Sequence, residues 1–178
     1  MLSEIEPRVA PTALRRHIEI DATSQKLRLF FEDVLVNTYP VSTAKNGLGE
    51  QLGSLCTPRG MHVIRAKIGA RQPENAVFVG RRPTGEIWTR DLHAAWPGRD
   101  WILSRVLWLC GIEQGRNRGG KVDTMRRHIY IHGCPDSVPV GIPLSHGCIR
   151  MRSKDVIELF DLIGVGDPVW IGNVAGPG

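Results

Sequence analysis

His17-Ile18-Glu19-Ile20-Asp21, followed by Lys26-Leu27-Arg28-Leu29, is the stretch that decides the fold. Apolar and polar residues alternate through both runs, the period of a strand with one buried face. Thr23-Ser24 and Glu32-Asp33 interrupt the alternation with short, turn-like spacers. Residues His17 to Val41 are therefore predicted to form an antiparallel meander.

Working outward, Ala44 to Gly53 is polar and contains glycine, as loops do, and Thr57-Pro58-Arg59-Gly60 is a turn signal leading into a strand over Met61 to Ala66. A further strand is predicted at Ala76 to Val79. Trp101, Ile102, Val106, Leu109 and Cys110 recur at helical spacing after a capping candidate, Asp100, so Asp100 to Cys110 is predicted to be an amphipathic helix. The neighbouring tryptophans Trp96, Trp101 and Trp108 are expected to fill core rather than to form a carbohydrate platform. His128-Ile129-Tyr130-Ile131-His132 alternates again, which would put side chains 128, 130 and 132 on one face of a strand. Ser153 can cap a helix with Val156, Leu159, Phe160 and Leu162 on its buried side, and Gly164 to Pro168 ends it. Val169-Trp170-Ile171 reads as a last strand. The elements that follow are mainly β, in one domain over 17–172 with peripheral helices, an N-terminal extension at 1–16 and a C-terminal tail at 173–178.

A chain of 178 residues suits one domain with a respectable core. Hydrophobic residues at 42% and charged residues at 23% exclude disordered and fibrous classes. The net charge of +5 favours an anionic partner but is weak evidence for nucleic acid, and no nucleic-acid partner is expected. No run reaches the roughly 18 apolar residues that cross a bilayer. Glu4 and Glu6 stand where a signal peptide carries positive charge, so a cytoplasmic location is expected, with periplasm or cell wall as the alternative. Cys56, Cys110, Cys134 and Cys148 are too scattered for a disulfide framework.

The chemistry is concentrated in Ile131-His132-Gly133-Cys134 and Ser145-His146-Gly147-Cys148-Ile149-Arg150-Met151, joined by a loop holding Pro135, Pro139, Gly141 and Pro143. A thiol attacks only as thiolate, and its reference pKa of about 8.5 calls for a base or a positive field. His132, His146 and Arg150 can supply both. Gly147 lets the backbone approach a substrate, with amides free to face a developing oxyanion.

These two segments resemble the active-site signature of L,D-transpeptidase catalytic domains of the YkuD type. The likeness extends through Lys154-Asp155-Val156-Ile157-Glu158-Leu159, Tyr39-Pro40-Val41-Ser42-Thr43 and Thr57-Pro58-Arg59-Gly60, and so spans nearly the whole chain. The resemblance implies a mainly β fold, a single mixed β-sheet domain with peripheral helices, in which Cys148 is the nucleophile and His132 the general base, oriented by the carbonyl of Gly133. It implies amides of Gly147 and Cys148 at the oxyanion, and Ser145, His146 and Arg150 at the substrate or its supporting loop. It further implies peptidoglycan stem peptides or muropeptides as partners, an amide between an L-centre and D-alanine as the bond opened, and no cofactor. Water as acceptor would make the protein an L,D-carboxypeptidase of muropeptide recycling, and an amine would make it a transpeptidase or a D-amino-acid exchanger. Cys134, where relatives often carry threonine, and the long stretch Ile87 to Arg127 depart from the family pattern.

Two other classes compete. His132, Cys134, His146 and Cys148 are zinc-ligand types, but each turn offers a His-x-Cys pair with too short a bite, so no metal is expected. A sheet domain that binds cell wall without catalysis would keep the fold and lose the reactivity. Gly115-Arg116-Asn117-Arg118-Gly119-Gly120-Lys121 matches part of a phosphate-binding loop, yet Val122 replaces the hydroxyl residue that would hold magnesium. Arg116, Arg118, Lys121, Arg126 and Arg127 could instead attract polyanionic fragments, or simply be a solvated loop.

Overall fold

The computed structural model describes residues 15–174. The expected terminal extension and tail thus fall largely outside the described residues. The alternating N-terminal text forms β1 (Arg16–Asp21), β2 (Lys26–Phe31) and β3 (Val34–Pro40), paired antiparallel in sequence order as expected. Glu32 and Asp33 both take positive φ, 48° and 64°, the two-residue turn whose twist matches that of the flanking strands. At the other turn the Asp21 carboxylate accepts from Thr23 N–H at 3.0 Å and from the Ser24 hydroxyl at 2.5 Å.

The remaining elements are β4 (Gly60–Ile68), β5 (Ala76–Val79), β6 (Arg82–Ile87), α1 (Arg90–Ala95), β7 (Ile102–Gly111), β8 (Tyr130–Cys134), β9 (Ile149–Arg152), α2 (Ser153–Leu162) and β10 (Pro168–Gly172). All ten strands join one sheet in the order β3-β2-β1-β10-β4-β7-β5-β6, and β8 pairs with β7 and carries β9 at its far side. The pairs β1–β10 and β8–β9 are parallel and the others antiparallel, so the sheet is mixed. Its main core gathers Ile18, Ile20, Leu27, Leu29, Ile64, Leu107, Leu109, Ile131, Ile149 and Ile171 under Val156, Leu159 and Phe160 of α2. Those three helical residues recur at the spacing that makes one apolar stripe.

The predicted helix at Asp100 to Cys110 is not formed; the segment is β7, a central strand. It is bordered by β4 and by β5 and β8, and seven of its ten residues are buried. A strand buried on both faces loses the two-residue alternation and reads as a continuous apolar run, which periodicity cannot separate from a buried helix. The packing of the tryptophans is divided: Trp101 is buried, Trp108 half-buried, and Trp96 is 61% exposed and outside the core. The strand predicted from His128 begins instead at Tyr130, because His128 sits at φ 56° and leaves the strand face shared by residues 130 and 132. Ser153 is the first residue of α2 rather than its cap, and its hydroxyl donates to the Asn75 side chain at 2.9 Å.

Candidate active site

Parallel pairing of β8 with β9 sets His132 opposite Arg150 and Gly133 opposite Met151, so the two reactive clusters lie side by side although a proline-containing loop separates them in sequence. Gly133 is fixed by packing: a β-carbon there would stand 2.6 Å from the Leu103 carbonyl oxygen on β7. The His132 ring is 1% exposed, with Nδ1 2.8 Å from the Gly133 carbonyl oxygen. A carbonyl oxygen only accepts, so Nδ1 carries the proton in this contact and Nε2 presents a lone pair. The orienting role expected of Gly133 is thus available in the geometry.

Cys148 stands just before β9, half-buried against a cluster of Ala76, Phe78, Val106 and Tyr130. Its thiol donates to the His128 carbonyl at 3.4 Å, and its sulfur accepts from the Tyr130 N–H at 3.4 Å. No hydrogen bond joins Cys148 Sγ to His132 among the described residues, so the resting thiol is held on His128 rather than on the imidazole.

The turn carrying Cys148 is braced on three sides. The Ser145 hydroxyl donates to the Cys148 carbonyl at 2.5 Å and accepts from the Gly147 N–H at 3.2 Å. Thr57 Oγ1 donates to the Gly147 carbonyl at 2.9 Å, and Ser42 exchanges both backbone bonds with Arg150 at 2.9 Å. Ser42 and Thr43 of the Tyr39–Thr43 segment, and Thr57 of the Thr57–Gly60 segment, thus hold the motif in place. Of the two amides expected at the oxyanion, the Gly147 N–H is already committed to Ser145, whereas the Cys148 N–H has no protein partner among the described residues. Gly147 has φ 129°, and a β-carbon there would stand 3.1 Å from Ile129 Cδ1 and 3.3 Å from the Cys56 carbonyl oxygen.

Burial pushes the Cys148 thiol up to about 11; the Tyr130 N–H and the charges of Arg150 and Arg127 pull the other way, and Asp100 adds to the rise. Burial also holds the His132 imidazole below its usual value, opposed by the bond to Gly133 and the charge of Asp100. Burial thus favours the neutral form of both groups. Arg150 donates to Asp100 at 2.9 Å and to the Leu144 carbonyl at 3.4 Å, which ties the motif to the start of β7 and to its own loop. Asp100, expected as a helix cap, is a neighbour of the site instead. An acidic residue opening an apolar run was the only signal for it.

His146 is exposed and, with Arg150, Arg99, Trp101 and Cys134, lines a cavity of about 260 Å³. It does not join Cys148 in a hydrogen bond. Cys134 is buried, its thiol pushed up to about 11 by that burial, and all four cysteines are free. Among the described residues no group of three or more His, Cys, Asp or Glu side chains is placed to hold a metal ion. The Gly115–Lys121 loop leads into a single 3₁₀ turn at Gly120–Val122, which is no phosphate-binding helix. Two of its neighbouring cations are already engaged: Arg116 with Glu113 at 2.7 Å, and Arg127 with the carbonyls of Gly49, Glu50 and Cys56. Arg127 thereby anchors the loop beside Cys148 rather than extending into solvent.

Residues 15–171 match the profile of the YkuD L,D-transpeptidase catalytic domain. The Bacillus licheniformis protein named YkuD, itself a candidate L,D-transpeptidase, is 27% identical over 161 residues, covering 90% of this chain and 68% of its own. Among solved structures, the fold resembles an L,D-transpeptidase from Mycobacterium smegmatis (18% identity, TM-score 0.52, 89% of this chain and 59% of that one). It also resembles L,D-transpeptidase 3 of Mycobacterium tuberculosis (16% identity, TM-score 0.56, 90% of this chain and 62% of that one). The chain spans about three fifths of the length of these two structures, and at such identities they bear on the fold alone. With a family profile matched from one end of the sheet to the other, the chain belongs to the YkuD family of L,D-transpeptidase catalytic domains.

Proposed function

We propose that the protein is a cysteine acyltransferase of peptidoglycan stem peptides, acting on the amide between an L-centre and D-alanine through a thioester on Cys148. The observation that carries this reading is His132, buried on β8 with Nδ1 bonded to the Gly133 carbonyl and Nε2 free, one strand away from the turn of Cys148. In the proposed reaction the thiol leaves the His128 carbonyl and gives its proton to His132 Nε2 as sulfur attacks the amide carbon. The new oxyanion takes the Cys148 N–H, the donor without a protein partner. His132 then returns the proton to the departing amine, leaving the thioester.

Water is the proposed acceptor, giving an L,D-carboxypeptidase with D-amino-acid exchange as a side reaction. Cys148 is half-buried and flanked by His128 and His146, both exposed, which supports access of water to the thioester. In this proposal soluble muropeptides in the cytoplasm are the substrates; recovery of the native protein from periplasm or wall would overturn that location. Purified protein should release D-alanine from a soluble tetrapeptide without any added amine. Products that form only with an amine would leave transpeptidation in its place. His132→Ala should cost far more activity than His128→Ala, and equal losses would contradict His132 as the base.

A further inference from the structure

Arg81 stands in the turn between β5 and β6, at φ 65°. Its guanidinium lies 4.4 Å from the centroid of Trp108, and its NH1 donates to the Tyr130 hydroxyl at 2.8 Å. It forms no ion pair among the described residues. Its other nitrogens make no hydrogen bond to the protein, yet none is sealed from solvent. Arginine's planar fork matches carboxylates in two parallel bonds, and here a half-buried guanidinium keeps open donors with no carboxylate on them.

Its position relative to Cys148 gives the fork a use. Tyr130 bonds Cys148 Sγ through its backbone N–H and Arg81 through its phenol, so the sulfur and the guanidinium are separated by one tyrosine side chain. Cys148 and Trp108 pack against the same small cluster, and the ring of exposed His128 stands 6.3 Å from Trp108. Trp108 and Tyr130 hold the guanidinium in place, which lowers the entropy lost when it binds a ligand. We propose that Arg81 is a specificity-determining residue that reads a carboxylate of the peptide donor while the scissile amide lies at Cys148. This rests on the reading of Cys148 as the acylated residue. Either a side-chain carboxylate on the acyl portion or the C-terminal carboxylate of the leaving residue has the required chemistry.

Binding can be measured without turnover in the Cys148→Ala protein, by calorimetry with three soluble tetrapeptides: one with both carboxylates, one amidated on the side chain, one amidated at the C-terminus. One of the amidated peptides should bind about 10- to 100-fold more weakly than the parent, the range for losing a charge-assisted pair, and its identity names the carboxylate. Adding Arg81→Gln should weaken the parent peptide to that level and leave the corresponding amide unchanged. Arg81→Lys, which keeps the charge and loses the fork, should fall between. Equal affinities for all three peptides, or equal losses for parent and amide in Arg81→Gln, would overturn the proposal. Carboxylate-dependent binding without any acylation of Cys148 in the native protein would support Arg81 and reject the nucleophile, so the two failures are distinct.

Discussion

The resting state of Cys148 can be tested by titrating its alkylation. With the thiol pushed up to about 11, chiefly by burial, the thiolate fraction at pH 7.5 is about 300-fold below that of a free cysteine of pKa about 8.5. The more basic thiolate is intrinsically the better nucleophile, and a Brønsted slope of about 0.45 recovers roughly tenfold of this deficit. Alkylation of Cys148 by iodoacetamide should then run about 20-fold slower than that of free cysteine at pH 7.5. Because burial disfavours the anion, the rate should climb close to tenfold per pH unit from pH 7 to about 10. Quenched samples, digested and weighed at the peptide carrying Cys148, give the rate apart from Cys56, Cys110 and Cys134. A rate that plateaus below pH 8 would mean a preformed thiolate–imidazolium pair and would refute the neutral resting state.

Acid should weaken the fold through His62, which is wholly buried and whose value is lowered from 6.5 to about 4 by that burial. The unfolded chain takes the proton first as pH falls, so stability is complete above about 6.5 and lost progressively down to about 4, a loss of about 3 kcal/mol. Denaturant melts at pH 7 and 4.5 check this, and equal midpoints would contradict it. Gly147→Ala forces a non-glycine residue into positive φ against the Cys56 carbonyl, which Arg127 holds at 2.6 Å. It should cost about 1–3 kcal/mol in the same melts, with loss of acylation, and a neutral effect would mean that the turn is pliable. Leu107→Ala, in the fully buried centre of β7, should cost about 2–5 kcal/mol, whereas exposed Val165→Ala should stay within about 0.5 kcal/mol.

The parts of the fold that were legible in the sequence are those with one wet face. β1 and β2 alternate because one side faces solvent, and Glu32-Asp33 betrays the hairpin between β2 and β3. β7 was misread because burial on both faces removes that alternation. β6 and α1 were missed for the opposite reason: Arg82-Pro83-Thr84-Gly85 reads as a turn but forms an edge strand, where proline is tolerated, and α1 buries no side chain. At the site, His132, Gly133 and Ser145 were legible through their motif. Tyr130 and Asp100 were not, since they act through a backbone amide and a contact 50 residues away in sequence.

The central claim is that Cys148 carries the acyl group. Mixing the purified protein with excess soluble tetrapeptide, quenching in acid within seconds and weighing the intact chain tests it directly. The account predicts an adduct with the mass of the tripeptide acyl portion, mapped after digestion to the peptide holding Cys148, cleaved by hydroxylamine as a thioester is, and missing in Cys148→Ser. Release of D-alanine by Cys148→Ser at the native rate, or an adduct mapped to any other residue, would contradict it.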